Sequence, residues 1–114
     1  MIKGIGTDII EVARIQKSIR RFGNDFLRHI FTPAELLHAK KFKSPYQHYA
    51  GRFAAKEAIY KALGDPKLSW QDMRITNDRS GQPQCHIRGK KSKQLLLSIS
   101  HCKTYATAVC IVQN

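Results

Sequence analysis

Negative charge is scarce in this chain. Eight Asp and Glu stand against 20 Lys and Arg in 114 residues, a formal balance of +12. A field of that sign recruits polyanions: nucleic acid, an anionic surface, a phosphorylated ligand or an acidic protein. It also makes each carboxylate worth locating, because most of the surface is built without them. Long apolar runs are lacking too, and none approaches the ~20 residues that a membrane span needs. The opening stretch MIKGIGTDII holds a lone lysine and no small-residue cleavage site, so it is not a secretory signal, and a cytoplasmic location is expected. The three cysteines, Cys85, Cys102 and Cys110, form an odd set without C-x-x-C spacing. That argues against a disulfide framework and for buried, reduced thiols. Cys85-His86 and His101-Cys102 are poor zinc pairs, since sequence neighbours on a strand point to opposite faces. No P-loop, G-x-G-x-x-G or H-E-x-x-H is present. Ser98-Ile99-Ser100-His101 lacks the nucleophile elbow of a hydrolase.

What is present suits one domain over residues 1–114: the length allows a single modest core, and an apolar content of 42% fits a folded protein. Residues 1 to 10 predict a strand with Ile2, Gly4, Gly6, Asp8 and Ile10 on one face. Two glycines beside Asp8 strip that face of bulk, so that a neighbouring backbone can approach. From Ile10 the period becomes helical. Val12, Ile15, Ile19 and Phe22 form an apolar stripe that ends at Gly23, with Arg14, Lys17 and Arg21 opposite. Thr32, Pro33 and Glu35 predict a capping box, with Phe31 and Leu36 as its hydrophobic staple; Glu35 is therefore a structural acid. Ser44-Pro45 predicts a second capped start, opening a long helix that runs to about Leu63 and stops at Gly64. That helix carries a small-residue face (Gly51, Ala54, Ala55, Ala58, Ala62), an apolar edge (Ile59, Leu63) and a face that gathers Phe53, Glu57, Tyr60 and Lys61. Glu57 and Lys61 are spaced as an i,i+4 pair.

The second half is β-rich. A strand at 73–76, a turn at 78–83 and a returning strand at 84–87 precede a basic loop at 89–93. Two further strands, 95–101 and 105–112, are joined tightly. Both faces of the last are largely apolar, so it is expected to be covered on both sides, by helix or by another subunit. Strand, helices, then strands predict the α+β class.

Two acids stand out, Asp8 at the end of the first strand and Glu57 in the long helix. Two carboxylates brought together raise a pKa or bind a cation. Mg²⁺ takes one or two carboxylates and completes its shell with water and substrate phosphates. Lys61, Arg52 and His101 suit the phosphate oxygens around it. The residues thus admit a magnesium-dependent phosphoryl-transfer site if strand end and helix meet. The rival reading is a small basic, non-catalytic nucleic-acid-binding module, which explains the charge but leaves Asp8 and Glu57 without a role.

Gly4-Ile5-Gly6-Thr7-Asp8, Gly51-Arg52-Phe53-Ala54-Ala55-Lys56-Glu57-Ala58 with Lys61, and Ser98-Ile99-Ser100-His101, in this order, resemble the holo-(acyl-carrier-protein) synthases, the small bacterial 4′-phosphopantetheinyl transferases. Phe31-Thr32 with Glu35 and the Gly81-x-Pro83 turn add to the match, which spans nearly the whole chain. The resemblance implies that family's fold. It implies Mg²⁺ held by Asp8 and Glu57 across the coenzyme A pyrophosphate, with Arg52, Lys61, Gly64 and His101 lining the coenzyme A site. The serine hydroxyl of apo-acyl-carrier-protein would attack the β-phosphate, take the 4′-phosphopantetheine arm and release adenosine 3′,5′-bisphosphate, a step of fatty acid biosynthesis. Asp8, Glu57, Lys61 and His101 would be the catalytic set, and a metal-ordered water relayed by a carboxylate would take the serine proton. The resemblance further implies a homotrimer with the site between subunits, so that His101 serves Asp8 and Glu57 of a neighbour. Arg14, Lys17 and Arg21, extended by Arg28, would dock the acidic carrier. Neither nucleic acid nor a membrane is then a partner. His48-Tyr49 before Ala50-Gly51-Arg52, and Cys102 after His101, depart from the family's Phe-Leu and Thr.

Overall fold

The computed structural model describes residues Met1–Asn114. Strand β1 (Ile2–Glu11) leads directly into helix α1 (Val12–Phe22), followed by α2 (Asn24–Ile30), α3 (Pro33–Ala39) and the long α4 (Tyr46–Leu63). A 3-10 turn at Trp70–Asp72 precedes β2 (Met73–Asn77), β3 (Pro83–Ile87), β4 (Lys90–Lys91), β5 (Leu95–His101) and β6 (Tyr105–Gln113). The class is α+β. Two antiparallel sheets form, ordered β1-β6-β5 and β2-β3-β4.

The local signals explain most boundaries. Gly23 and Gly64 adopt positive φ (59° and 65°) and end α1 and α4, their amides donating to Ile19 and Tyr60 carbonyls. The capping box at α3 closes as its residue types require: the Thr32 amide donates to Glu35 Oε1 at 2.8 Å, and the Glu35 amide to Thr32 Oγ1 at 3.4 Å. The start of α4 differs from expectation. Pro45 takes the cap place and no side chain caps the helix. The Ser44 hydroxyl thereby stands one residue ahead of the place from which it reaches the second or third helical amide. The basic stretch expected as a loop contributes the two-residue β4, which pairs with His86 and Ile87.

Helix α4 lies across the inner face of β1-β6-β5. Ala54, Ala55, Ala58 and Ile59 of the helix, Ala108, Cys110 and Val112 of β6, and Leu95 and Leu97 of β5 form one core with Met73, Ile75 and Cys85 of the second sheet. The approach of β1 is set by its glycines. A Cβ built on Gly6 stands 1.9 Å from the Ala58 carbonyl oxygen, and one on Gly4 stands 2.2 Å from that of Ala62. Only hydrogen fits there, so β1 and the Ala58–Ala62 turn of α4 sit backbone to backbone. Val12 and Ile15 of α1, Ile30, Phe31, Ala39, Tyr49, Ala50 and Ala106 form a second core toward the N-terminal end of α4, with Ile19 partly buried against it. Phe22, the last residue of the predicted stripe, is 55% exposed; it ends α1 beyond the reach of that core.

The outer face of β1-β6-β5 is uncovered in the single chain. Register sets Ile5 beside Ile111 and Ile111 beside Leu96, and Ile5, Ile9, Leu96, Val109 and Tyr105 are all exposed. The doubly apolar pattern of β6 is met by α4 on one side only.

Candidate active site

Backbone contact between β1 and α4 carries Asp8 to the helix. Two residues beyond Gly6, Asp8 pairs in register with Ala108, and its side chain remains only 15% exposed. Lys61 Nζ donates to the Thr7 carbonyl at 2.9 Å and to Asp8 Oδ1 at 3.4 Å. The expected i,i+4 partner of Lys61 was Glu57; the ammonium instead reaches across to β1, which the glycines have brought within range. Glu57 lies on the same side of α4. Burial first, then the nearby Asp8 charge, push its carboxyl above the usual range, and Lys61 opposes them. Lys61 thus pairs with Asp8, and Glu57 feels the charges of both. No cluster of three or more His, Cys, Asp or Glu side chains exists to cage a metal. A donor set of two carboxylate groups beside open space fits a hard cation that draws its remaining ligands from water and phosphate. Asp8 and Lys61 border a groove of about 370 Å³ with Thr107 and Val109. Glu57 borders a cleft of about 200 Å³ formed by Tyr60, Leu68, Ser69, Trp70 and Met73.

Arg52 and His101 are brought together elsewhere. They line a chamber of about 430 Å³ with His38, Phe42, His48, Gly51, Asn77 and Gly81 at the N-terminal half of α4. Arg52 is buried; one terminal nitrogen donates to Asn77 Oδ1 at 2.6 Å, while its Nε has no partner. His101 Nδ1 donates to Gln47 Oε1 at 2.8 Å, which leaves Nε2 as the free face of the ring. Gly51, against which His101 packs, precedes Glu57 on α4 by about 9 Å of helix axis, and β6 separates His101 from β1. One chain thus presents two separate clusters and does not bring His101 to Asp8. Gly64 caps α4 one turn past Lys61.

Arg14, Lys17 and Arg21 share a shallow concavity of about 260 Å³ with Ser18 and Phe22. The Arg21 guanidinium lies 5.2 Å from the Phe22 ring. Arg28 is exposed on α2, outside that concavity.

Sequence reasoning missed the residue that anchors this helix. Lys56 is fully buried; its Nζ meets Glu35 Oε1 at 2.7 Å, the Ile30 carbonyl at 2.7 Å and the Trp70 carbonyl at 3.1 Å. Glu35 Oε2 accepts the Ile75 amide at 2.7 Å. The capping acid thereby fastens α3, α4 and β2 around the residue next to Glu57. The signal lay in Lys56's neighbours, Ala54, Ala55 and Ala58, a buried setting in which a lysine needs a partner. Of the thiols expected to be buried, Cys85 and Cys110 are, and burial pushes them up to about 12 and about 11. Cys102 is exposed in the β5–β6 turn, where backbone amides of Tyr105 and Thr104 lower its pKa.

The family model of the 4′-phosphopantetheinyl transferase superfamily matches residues 4–110. The chain is 46% identical to a holo-[acyl-carrier-protein] synthase of Protochlamydia amoebophila over 97% of its own length and 98% of the relative's. Among solved structures it is similar to holo-[acyl-carrier-protein] synthase from Neisseria meningitidis (TM-score 0.88, 32% identity, 100% of both chains). It is likewise similar to a holo-(acyl-carrier-protein) synthase from Bacillus anthracis in complex with CoA (3′,5′-ADP) (TM-score 0.84, 39% identity, 98% of this chain and 96% of that one). With the match covering both clusters and the sheet between them, the chain belongs to the 4′-phosphopantetheinyl transferase superfamily.

Proposed function

We propose that this protein transfers the 4′-phosphopantetheine arm of coenzyme A to a serine of apo-acyl-carrier-protein, giving the holo-carrier and adenosine 3′,5′-bisphosphate. The observation that carries the reading is the glycine-made contact of β1 with α4, which bonds Asp8 and the Thr7 carbonyl to Lys61 and puts Glu57 within reach of the Asp8 charge. The names of the relatives, and the coenzyme A complex of one of them, supply the substrate class.

In this reading Asp8 and Glu57 hold Mg²⁺, which when bound supplies Lewis-acid charge to the phosphate oxygens. Lys61 places a second positive charge at the same spot, held by the Thr7 carbonyl so that it costs no reordering during reaction. Arg52 and His101 grip the nucleotide end. The serine oxygen bonds to the β-phosphorus as the bridge to the α-phosphate breaks; adenosine 3′,5′-bisphosphate leaves with the bridging oxygen, and the serine proton passes to water relayed by a carboxylate. The exposed sheet face of Ile5, Ile9, Leu96 and Val109 is apolar enough to be buried by further copies of the chain. A homotrimer that buries it would set one chain's Arg52 and His101 beside the next chain's Asp8, Glu57 and Lys61. The basic concavity of Arg14, Lys17 and Arg21 is the carrier's docking face, with Phe22 as an apolar contact. Three free thiols favour a cytoplasmic setting.

The test is mass analysis of an apo-acyl-carrier-protein after incubation with coenzyme A, Mg²⁺ and the protein. The carrier should gain the phosphopantetheine mass. Asp8→Asn and Glu57→Gln should each cut turnover by ~100-fold or more, since even outer partners of metal ligands are worth 10- to 100-fold. No mass gain in the wild type, or full activity in either variant, refutes the reading.

A further inference from the structure

The chamber around Arg52 holds more positive and protonatable groups than the motif residues account for. His38 from α3 and His48 from α4 join Arg52 and His101 on its wall, and no carboxylate lies among its lining residues. The rings form one block. Phe42 stacks on His48 with centroids 3.5 Å apart and planes at 18°, and His101 meets His48 edge-on at 5.2 Å. His38 stands 6.3 Å from His48 and 5.3 Å from Phe42. His48 is thus at the centre, between an aromatic face that favours its cation and three groups that oppose it. Arg52 contributes a buried Nε with no partner. Glu35, the acid that acts on Arg52, is already bound to Lys56, Thr32 and Ile75. The chamber is therefore cationic with its own counter-charge spent.

We propose that His48, supported by His38, is a specificity-determining residue of this chamber, which in its protonated form recognises the phosphate monoester of the bound nucleotide and makes binding stronger as pH falls. The proposal rests on the coenzyme A reading above and deepens it. Coenzyme A carries a single phosphomonoester, the 3′-phosphate, beside the singly charged phosphates of its pyrophosphate bridge. A monoester is nearly dianionic at neutral pH, so it gains most from each added positive charge. Burial is the first cause that lowers both histidines. For His48 the charges of His101, His38 and Arg52 follow; for His38, those of Arg52 and Lys41. Both are thus largely neutral at pH 7 without ligand. A dianion reverses that balance and raises their pKa. Binding then takes up protons, and affinity climbs as pH falls through the liganded pKa until the unliganded one, below 6.5, is passed.

Calorimetric titration of the full protein with coenzyme A and with 3′-dephospho-coenzyme A, between pH 5.5 and 8, tests this. Two buffers of different ionisation enthalpy would report proton uptake. At pH 7 and above, where the free phosphate is already largely ionised and has little proton to release, the wild type should bind coenzyme A with net proton uptake, and dephospho-coenzyme A without it. His48→Phe keeps a ring on Phe42 but no charge. It should lose roughly five- to tenfold in coenzyme A affinity at pH 5.5, the worth of one nearby charge, and little at pH 8. Taking the ratio of wild type to variant at each pH cancels protonation of the phosphate itself. His38→Asn should give the same pattern with a smaller amplitude. Equal pH slopes in wild type and His48→Phe, with coenzyme A still bound by both, overturn the proposal and leave the coenzyme A reading standing. Absence of coenzyme A binding at every pH overturns both.

Discussion

Replacing Gly6 by alanine tests whether the backbone contact between β1 and α4 builds the site. The added methyl carbon would lie 1.9 Å from the Ala58 carbonyl oxygen and 2.8 Å from the Ala62 amide nitrogen, both backbone atoms within one helix. Contacts of a real Cβ essentially never fall below 3.0 Å, so strand and helix must part by about an ångström. A gap of 0.5–1 Å forfeits roughly a quarter to a half of each dispersion contact across it. Ala54, Ala55, Ala58 and Ile59 are fully buried along this helix and cannot follow the strand without loosening the core they share with Met73, Ile75 and Cys85 of the second sheet. Alanine recovers ~0.4–1 kcal/mol by restricting the unfolded chain. The net loss should be about 2–3 kcal/mol, toward the upper end for overpacking, which lowers Tm by roughly 10 °C in a domain of this size. Gly51→Ala is the control. Its methyl meets only the Ile99 Cγ2 at 3.1 Å and His101 at 3.6 Å, side-chain atoms that can shift, and it removes a glycine from a helix interior. It should be near neutral. Urea unfolding at one fixed protein concentration gives both values, and turnover measured beside it should fall further for Gly6→Ala than stability explains, because Asp8 moves with the strand. A Gly6→Ala protein within 0.5 kcal/mol of wild type, with unchanged turnover, would refute the reasoning.

Lys56→Met strands the buried Glu35 carboxylate and should cost about 3–5 kcal/mol, with Lys56→Met/Glu35→Gln recovering part of it; a loss under 1 kcal/mol in denaturant titration counts against the anchoring role. Arg14→Glu with Arg21→Glu should raise KM for the carrier by ~10-fold at low salt while KM for coenzyme A holds, and added salt should mimic the change in the wild type. Movement of the coenzyme A KM alone would assign this surface to the nucleotide instead. For Glu57, burial and Asp8 raise the folded pKa above the ordinary 4.5, so the metal-free fold loses stability as pH rises through that folded value. Mg²⁺ favours the carboxylate, and its thermal stabilisation should therefore grow with pH across that window and flatten in Glu57→Gln. A magnesium shift that shrinks with rising pH contradicts this.

Signals confined to one turn of chain were legible in the sequence. Gly23 and Gly64 as helix stops, Thr32 with Glu35 as a capping box, and the alanine face of the long helix depend on neighbours within a few residues, and the structure carries each of them. The pair of glycines before Asp8 also disclosed a close backbone approach, because absence of a side chain has few other uses in a strand. Effects that depend on distant elements were hidden. Lys61 has Glu57 at i,i+4, but the Thr7 carbonyl and Asp8 of β1 reach it first. Lys56 looks like any helical lysine until α3 brings Glu35 against it. Phe22 continues the apolar period of α1, yet the body beneath ends before it. Histidines 38, 48 and 101 lie on three elements and share a cavity only after α3, α4 and β5 close around it.

The division of the site between two places on one chain leads to a last prediction. Glu57 and Lys61 sit on the C-terminal half of α4 with Asp8 of β1 beside them, whereas Arg52 sits on its N-terminal half with His101 of β5 nearby, and Gln47 holds the imidazole in place. Under the proposed trimer each reaction uses the first set from one chain and the second from its neighbour across the Ile5–Ile111–Leu96 face. A chain bearing Asp8→Asn and a chain bearing His101→Ala would each be inactive alone. When the two are unfolded together and refolded in equal amounts, random assortment joins an intact first set to an intact second set at about one quarter of the sites, and turnover should return to about that fraction of wild type. If each site were built within a single chain, no assortment could repair it. Refolded mixtures should sediment at three times the 13.0 kDa chain mass. Mixed trimers identified by native mass spectrometry, with no activity above the sum of the two variants, would refute the shared site.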